Sequence, residues 1–138
     1  TMALVKIEIS TKINSDLDKV WNYFNSAEHI IHWNFANDDW HCPKAEVDFK
    51  EGGKFKNNMA AKDGSMAFDF EGTYTNIIAK SHITYVLDDN RKVQIDFKEL
   101  DGAVLVNEIF EAEETNSLDL QKAGWQAILD NFKKYVEK

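Results

Sequence analysis

Apolar and polar residues alternate repeatedly between residues 47 and 110, and this pattern constrains the fold more than any other feature. A period of two is typical of a β-strand with one buried face and one solvated face. Short turns separate the alternating segments, and Asp63-Gly64 and Asp101-Gly102 are strong hairpin signals. Strands that follow one another through short turns pair as antiparallel neighbours. The sequence therefore predicts an antiparallel sheet whose apolar face needs a cover.

The C-terminal segment is predicted to provide that cover. Asn116-Ser117 can cap a helix that runs to Val136. Apolar residues then recur at steps of three and four, at Trp125, Ile128, Leu129, Phe132, Tyr135 and Val136. This stripe extends over about five turns of helix. A curved sheet wrapped around one long helix buries both apolar surfaces.

The N-terminal third adds one strand and two short helices. Residues 5 to 9 alternate as a strand does, and helix starts follow at Asn14-Ser15-Asp16 and Asn25-Ser26. Residues 35 to 43 have no period and are predicted to form a loop. No linker divides the chain, so we expect one α+β domain over residues 1–138. Its sheet should have about six to seven strands.

Charge and cysteine content limit the partners and the compartment. The chain has 24 acidic and 16 basic residues and a formal charge of −8. Such a surface repels nucleic acid and anionic membranes. Cys42 is the only cysteine, which suits a reducing compartment. No apolar run approaches the ~18 residues of a membrane span, and no secretory signal is visible. We expect a cytoplasmic protein.

Several motifs, spread over nearly the whole chain, carry a resemblance to a known family. They are Val20-Trp21, Glu28-His29 through Trp33, Ala45-Glu46-Val47-Asp48, Gly52-Gly53-Lys54-Phe55, Phe70-Glu71-Gly72-Thr73-Tyr74 and Gly124-Trp125. Their order along the chain resembles that in proteins with the helix-grip fold of the START-like (SRPBCC) superfamily. More narrowly, the chain resembles the homologues of the heat-shock protein 90 ATPase activator. The loop from Trp33 to Pro43 resembles stand-alone bacterial members. Co-chaperone activity is not implied, because the eukaryotic activators make much of their chaperone contact through a separate N-terminal domain.

The resemblance implies a cavity for a hydrophobic ligand between the sheet and the last helix. Apolar walls with few polar groups are the usual composition of a ligand site. The expected contacts are Trp33, Phe35, Trp40, Phe55, Asn57, Met59, Phe68, Phe70, Tyr85, Val93, Phe110, Trp125 and Leu129. The alternative is that these side chains fill the core and leave no cavity.

Two polar residues stand at inward positions of otherwise apolar strand faces. They are Asn57 and Glu108. A buried carboxylate is unfavourable unless it is paired, and desolvation raises its pKa, as in many acid–base catalysts and ligand anchors. The alternative is a bulge or strand end that turns Glu108 outward.

The loop region gathers residue types that bind metals or act as nucleophiles. They are His32, Asp38, Asp39, His41 and Cys42. None of their spacings matches a known zinc site, so neither a metal nor a cofactor is predicted. A nucleophilic Cys42 assisted by a histidine would need a lowered thiol pKa. Alternatively, the tryptophans pack this loop and an aspartate caps its amides.

Three functions remain open, and binding of a small apolar or amphipathic molecule is favoured. The second is an enzyme of cyclase or dehydratase type, with Glu108, Tyr85 and His41 as acid–base candidates. The third is a chaperone-related interaction module that uses residues 35 to 40. The edge strand at residues 5 to 9 could pair with a second copy, so a monomer or a homodimer is expected.

Overall fold

Six long strands and two short ones form one curled antiparallel sheet in the computed structural model, which describes residues 4–138. The strands are β1 (Lys6–Ile13), β2 (Trp40–His41), β3 (Ala45–Val47), β4 (Lys54–Ala61), β5 (Ala67–Ile78), β6 (His82–Leu87), β7 (Lys92–Leu100) and β8 (Ala103–Glu111). Their order across the sheet is β1-β8-β7-β6-β5-β4-β2, and β3 also pairs with β4. The predicted antiparallel sheet is confirmed.

Two short helices connect β1 to the rest of the sheet, as predicted. Helix α1 (Leu17–Asn25) begins after Asp16, whose carboxylate accepts a hydrogen bond from the Lys19 amide at 2.8 Å. This is the usual N-cap arrangement, which satisfies a free amide of the first turn. Helix α2 (Ala27–Ile30) follows directly after Ser26.

The long C-terminal helix α3 (Leu118–Val136) covers the concave face of the sheet. The Ser117 hydroxyl accepts a hydrogen bond from the Leu120 amide at 3.1 Å and caps its first turn. Leu129, Phe132 and Val136 are buried in the core beneath it. The predicted helix is thus confirmed, with Ser117 as its cap. Within residues 4–138, no helix has the length and apolar character needed to cross a membrane.

One local expectation was wrong, and another holds with a different degree of burial. Trp40 and His41 do not lie in a loop but form β2, which pairs with Ala61 and Ala60 of β4. Two residues are too short for a detectable period, and their partners are distant in sequence. Phe68 lies on the concave face of β5, opposite Met59, as expected, but it is 49% exposed there. It lies near the start of β5, where the strand pairs with the end of β4 at the mouth of the sheet.

Gly72 of β5 permits close packing that a larger residue would disturb. A Cβ at this position would lie 2.8 Å from the Phe55 ring and 2.9 Å from the Val86 carbonyl oxygen. We therefore expect Gly72→Ala to lower the free energy of unfolding by about 2 kcal/mol in urea titrations.

Gly124 of α3 provides the matched control for this substitution. A Cβ there meets no atom within 4 Å. Because alanine favours a helix interior over glycine, Gly124→Ala should raise the free energy of unfolding by about 0.5–1 kcal/mol. A Gly72→Ala protein as stable as the original would contradict the packing described for Phe55.

Candidate functional site

A cavity of about 560 Å³ lies between the concave face of the sheet and α3. Strands β4, β5, β6, β7 and β8 form its floor, and α3 forms one wall. Residues of α1, of α2 and of the segment after α2 form the other wall. The aromatic side chains of the core therefore leave space beneath the helix. The volume lies in the range of about 300–1,000 Å³ that is typical of small-molecule sites.

Most of the residues expected to contact a ligand line this cavity. They are Trp33, Trp40, Phe55, Asn57, Met59, Phe68, Phe70, Tyr85, Trp125 and Leu129. They come from the sheet, from α3 and from the segment between α2 and β3, so the fold brings distant parts of the sequence together. Ligand contact by each of them stays a prediction.

Three other expected residues do not line the cavity. Phe110 is fully buried behind Trp125, and the two rings stack with centroids 4.0 Å apart. Val93 lies between Phe110 and Tyr85 on the neighbouring strands, and these larger side chains cover it. Phe35 is half-buried in the segment after α2. The alternation of the sequence identified which side chains point inward. It did not show which of them reach the cavity surface and which are covered by other side chains.

Aromatic contacts hold the rings of the cavity wall in place. The Trp125 indole stacks on Phe110 and meets the Phe70 ring edge-on, with centroids 5.8 Å apart. The Phe55 and Tyr85 rings pack edge-to-face at 4.8 Å. Such arrangements add to the stabilisation that burial provides. The cavity thus has a largely preformed aromatic surface.

Asn57 and Glu108 are the two buried polar residues on the floor of the cavity. They are 8% and 7% exposed. Within residues 4–138, no group hydrogen-bonds the side-chain oxygen of Asn57. Burial away from water raises the pKa of Glu108 to about 8. Because this value lies above neutral pH, the carboxyl is mostly protonated at pH 7. Glu108 does not turn outward, which was the alternative.

The three acid–base candidates do not come together. Tyr85 lines the cavity with Glu108, and burial, with a smaller contribution from the Glu108 charge, raises the pKa of its phenol. His41 lies on β2, outside the cavity lining. A site that uses Glu108 and Tyr85 is thus compatible with the structure, whereas His41 lies apart from it.

Polar residues that the sequence reasoning missed lie at the end of the cavity near α3. The Gln121 side chain accepts a hydrogen bond from the Glu113 amide and donates to the Glu113 and Asn116 carbonyl oxygens, at 2.9–3.0 Å. Arg91 also lines this end, and its Nε donates to the Asp89 carboxylate at 2.8 Å. Gln121 lies one helical turn before Trp125 and therefore on the same face of α3. This spacing is the sequence feature that could have identified it as a residue near the cavity.

The cysteine and metal hypotheses gain no support. Cys42 is buried, burial raises the pKa of its thiol, and its Sγ donates to the Lys44 carbonyl oxygen at 3.5 Å. A nucleophilic thiol would need the opposite shift. Across residues 4–138, no three His, Cys, Asp or Glu side chains are grouped so that they could hold a metal ion.

Trp33, in the segment after α2, presents little of its surface to solvent. Trp33 is 6% exposed, and its indole N–H donates to the Tyr23 carbonyl oxygen at 3.0 Å. The Asn131 side-chain amide of α3 donates to the Trp33 carbonyl oxygen at 2.8 Å. An interaction module would expose a contiguous apolar patch around Trp33. Trp33 therefore adds nothing to such a patch, whereas Phe35 and Trp40 are half-buried and leave part of their surface exposed.

Comparisons with known proteins point to one family. The family model described as activator of Hsp90 ATPase homolog 1-like protein matches residues 14–137. The solution structure of an AHSA1-like protein from Aeromonas hydrophila is 44% identical, with a TM-score of 0.90, over 96% of this chain and 92% of that one. Chr148 from Cytophaga hutchinsonii is 45% identical, with a TM-score of 0.83 and the same coverage.

More distant structures share the fold alone. A protein from Nitrosomonas europaea has a TM-score of 0.81 at 13% identity, over 99% of this chain and 96% of that one. No protein of curated function matches the sequence. The function must therefore be argued from the site itself.

Proposed function

The chain belongs to the activator of Hsp90 ATPase homolog 1-like family, and we propose that it binds a small, largely apolar molecule between the sheet and α3. The observation that carries this proposal is the cavity of about 560 Å³ with its aromatic walls. An apolar molecule gains free energy when it leaves water for such a site, at about 25 cal/mol per Å² of buried apolar surface. The few polar groups in such a site fix the orientation of the ligand.

The position of Gly124 allows the cavity to be blocked without disturbing the core. Gly124 lines the cavity, and the space in front of its Cα is empty. We expect Gly124→Leu to place a side chain in that space and to weaken binding of the neutral dye Nile red by at least about tenfold. Dye fluorescence, titrated against protein, measures the affinity and the stoichiometry.

Ala123→Leu is the matched control for this experiment. Ala123 is the preceding residue of α3 and is exposed to solvent. The same side chain at this position should leave dye binding unchanged. A protein that takes up no dye, or a Gly124→Leu variant that binds it as tightly as Ala123→Leu does, would argue against a ligand site in the cavity.

Acid–base catalysis in the same cavity is the second candidate function. The supporting observation is a buried carboxyl, Glu108, that titrates close to neutral pH and shares the cavity with Tyr85. Enzymes often tune a general acid in this way. Native mass spectrometry of the protein from its own host can identify a bound molecule. Conversion of that molecule by the original protein, and not by Glu108→Gln, would establish catalysis.

A further inference from the structure

Two buried polar groups in an apolar cavity lower the stability of the protein unless something pairs with them. The side-chain oxygen of Asn57 has no hydrogen-bond partner among the described residues. Glu108 is equally buried, and its raised pKa reflects burial rather than a paired charge. An unpaired buried polar group is unfavourable by about 1–3 kcal/mol. A ligand that pairs with both groups would recover this free energy on binding.

The two groups lie on well-separated strands. Asn57 belongs to β4 and Glu108 to β8, and three strands, β5, β6 and β7, lie between these two in the sheet. Both side chains face the same cavity. They therefore offer two polar contacts at different points of one apolar surface, and a ligand that meets both must carry two polar groups set apart.

The character of these groups selects for an uncharged ligand. An amide and a protonated carboxyl each offer a donor and an acceptor. A hydroxyl, which also donates and accepts, complements either of them. A carboxylate would lose its hydration among apolar walls, and the cationic side chain in the lining, Arg91, already donates to Asp89 and to the Glu111 carbonyl oxygen.

We propose that the ligand is a neutral aromatic molecule with two separated hydroxyl groups, one hydrogen-bonded to Asn57 and the other to Glu108. This proposal rests on the proposed ligand-binding function. The aromatic body packs against the rings of Phe55, Phe70 and Trp125, which line the same cavity. Offset and edge-to-face contacts between rings favour such a body over an aliphatic chain.

Stilbene derivatives test the proposal because they vary the polar groups on one rigid aromatic body. The compounds are trans-stilbene, its para-hydroxy and para,para′-dihydroxy derivatives, and its para,para′-dicarboxylate. Isothermal titration calorimetry at neutral pH gives each Kd. Each hydroxyl should tighten binding by about fivefold, the effect of one net hydrogen bond. The dicarboxylate should bind more weakly than stilbene itself.

Substitutions assign each hydroxyl to its partner. Asn57→Leu and Glu108→Leu should each abolish the gain from one hydroxyl, while Glu108→Gln should retain it because an amide still donates and accepts. Asn58→Leu is the matched control, since Asn58 is the next residue of β4 and its amide donates to Asp69 on the other face of the sheet. Both leucine variants in the cavity should remain folded, because each replaces a buried polar group by an apolar one of similar size, and the Asn57 oxygen has no partner to lose among the described residues.

The outcomes separate this proposal from the more general one. If stilbene binds and the hydroxyls add less than about twofold, the cavity binds apolar molecules and the hydroxyl proposal is wrong. Unchanged hydroxyl gains in Asn57→Leu and Glu108→Leu would overturn it as well, as would tight binding of the dicarboxylate. If none of the four compounds binds, the proposed ligand-binding function fails together with it.

Discussion

Phe132→Ala should lower the free energy of unfolding by about 4 kcal/mol, a large part of the stability of a domain of this size. Phe132 is fully buried on α3. Its ring lies 5.2 Å from the Phe24 ring and 4.8 Å from the Trp33 indole, between centroids. The substitution removes a buried ring that packs α3 against both α1 and the segment after α2. Urea denaturation followed by far-ultraviolet circular dichroism measures the loss.

Phe68→Ala is the control for this prediction. The Phe68 ring is 49% exposed, and the aromatic ring nearest to it is that of Trp40, at 6.1 Å between centroids. Its removal should change the free energy of unfolding by less than about 1 kcal/mol. Similar losses in the two variants would mean that α3 is not held by the buried cluster around Phe132.

The second large effect is a loss of stability with rising pH that originates at Glu108. Its pKa is about 8 in the folded protein and about 4.3 in an unfolded chain. Between these values the folded state holds a proton that the unfolded state has released, so rising pH favours unfolding. The slope is at most about 1.4 kcal/mol per pH unit. The stability that the Glu108 proton adds to the folded state is fully present below the unfolded pKa. It falls by about 3 kcal/mol between pH 5 and 8 and levels off above the folded pKa.

Glu108→Gln should remove this component of the pH dependence. Urea titrations at pH 5 and pH 8 should then give a difference in unfolding free energy that is smaller than in the original protein by about 3 kcal/mol. Glu99→Gln, at an exposed position of β7, should retain the original difference. If Glu108→Gln and Glu99→Gln show the same difference in unfolding free energy between pH 5 and pH 8, the Glu108 carboxyl is not desolvated in the folded state.

The elements that span many residues could be predicted from the sequence. The stripe from Trp125 to Val136 covers more than half of α3, and each long strand spans six residues or more. Strand β2 could not be predicted, because its two residues carry no period and pair with a distant strand. Local patterns report which face a residue takes, whereas long-range pairing decides which short segments become strands.

The candidate site was harder to predict than the fold. Alternation placed Asn57 and Glu108 on the concave face, where the structure has them. It could not separate Trp125, which meets the cavity, from Phe110, which lies beneath it. Depth depends on how α3 packs over the sheet, and sequence spacing along either element does not report that distance. The hydrogen bonds of Gln121 could not be predicted, because their partners, Glu113 and Asn116, lie in the loop before α3 and the sequence does not report the position of that loop.

The placement of the tryptophans gives the molecule an intrinsic optical reporter. The chain has four of them, and Trp33, Trp40 and Trp125 line the cavity. Trp21 packs instead against Phe49 and Phe97. Three of the four indoles therefore lie at the cavity wall, where quenching or energy transfer by an aromatic guest acts at short range. Occupancy of the space beneath α3 can thus be read from the ultraviolet emission of the unlabelled protein.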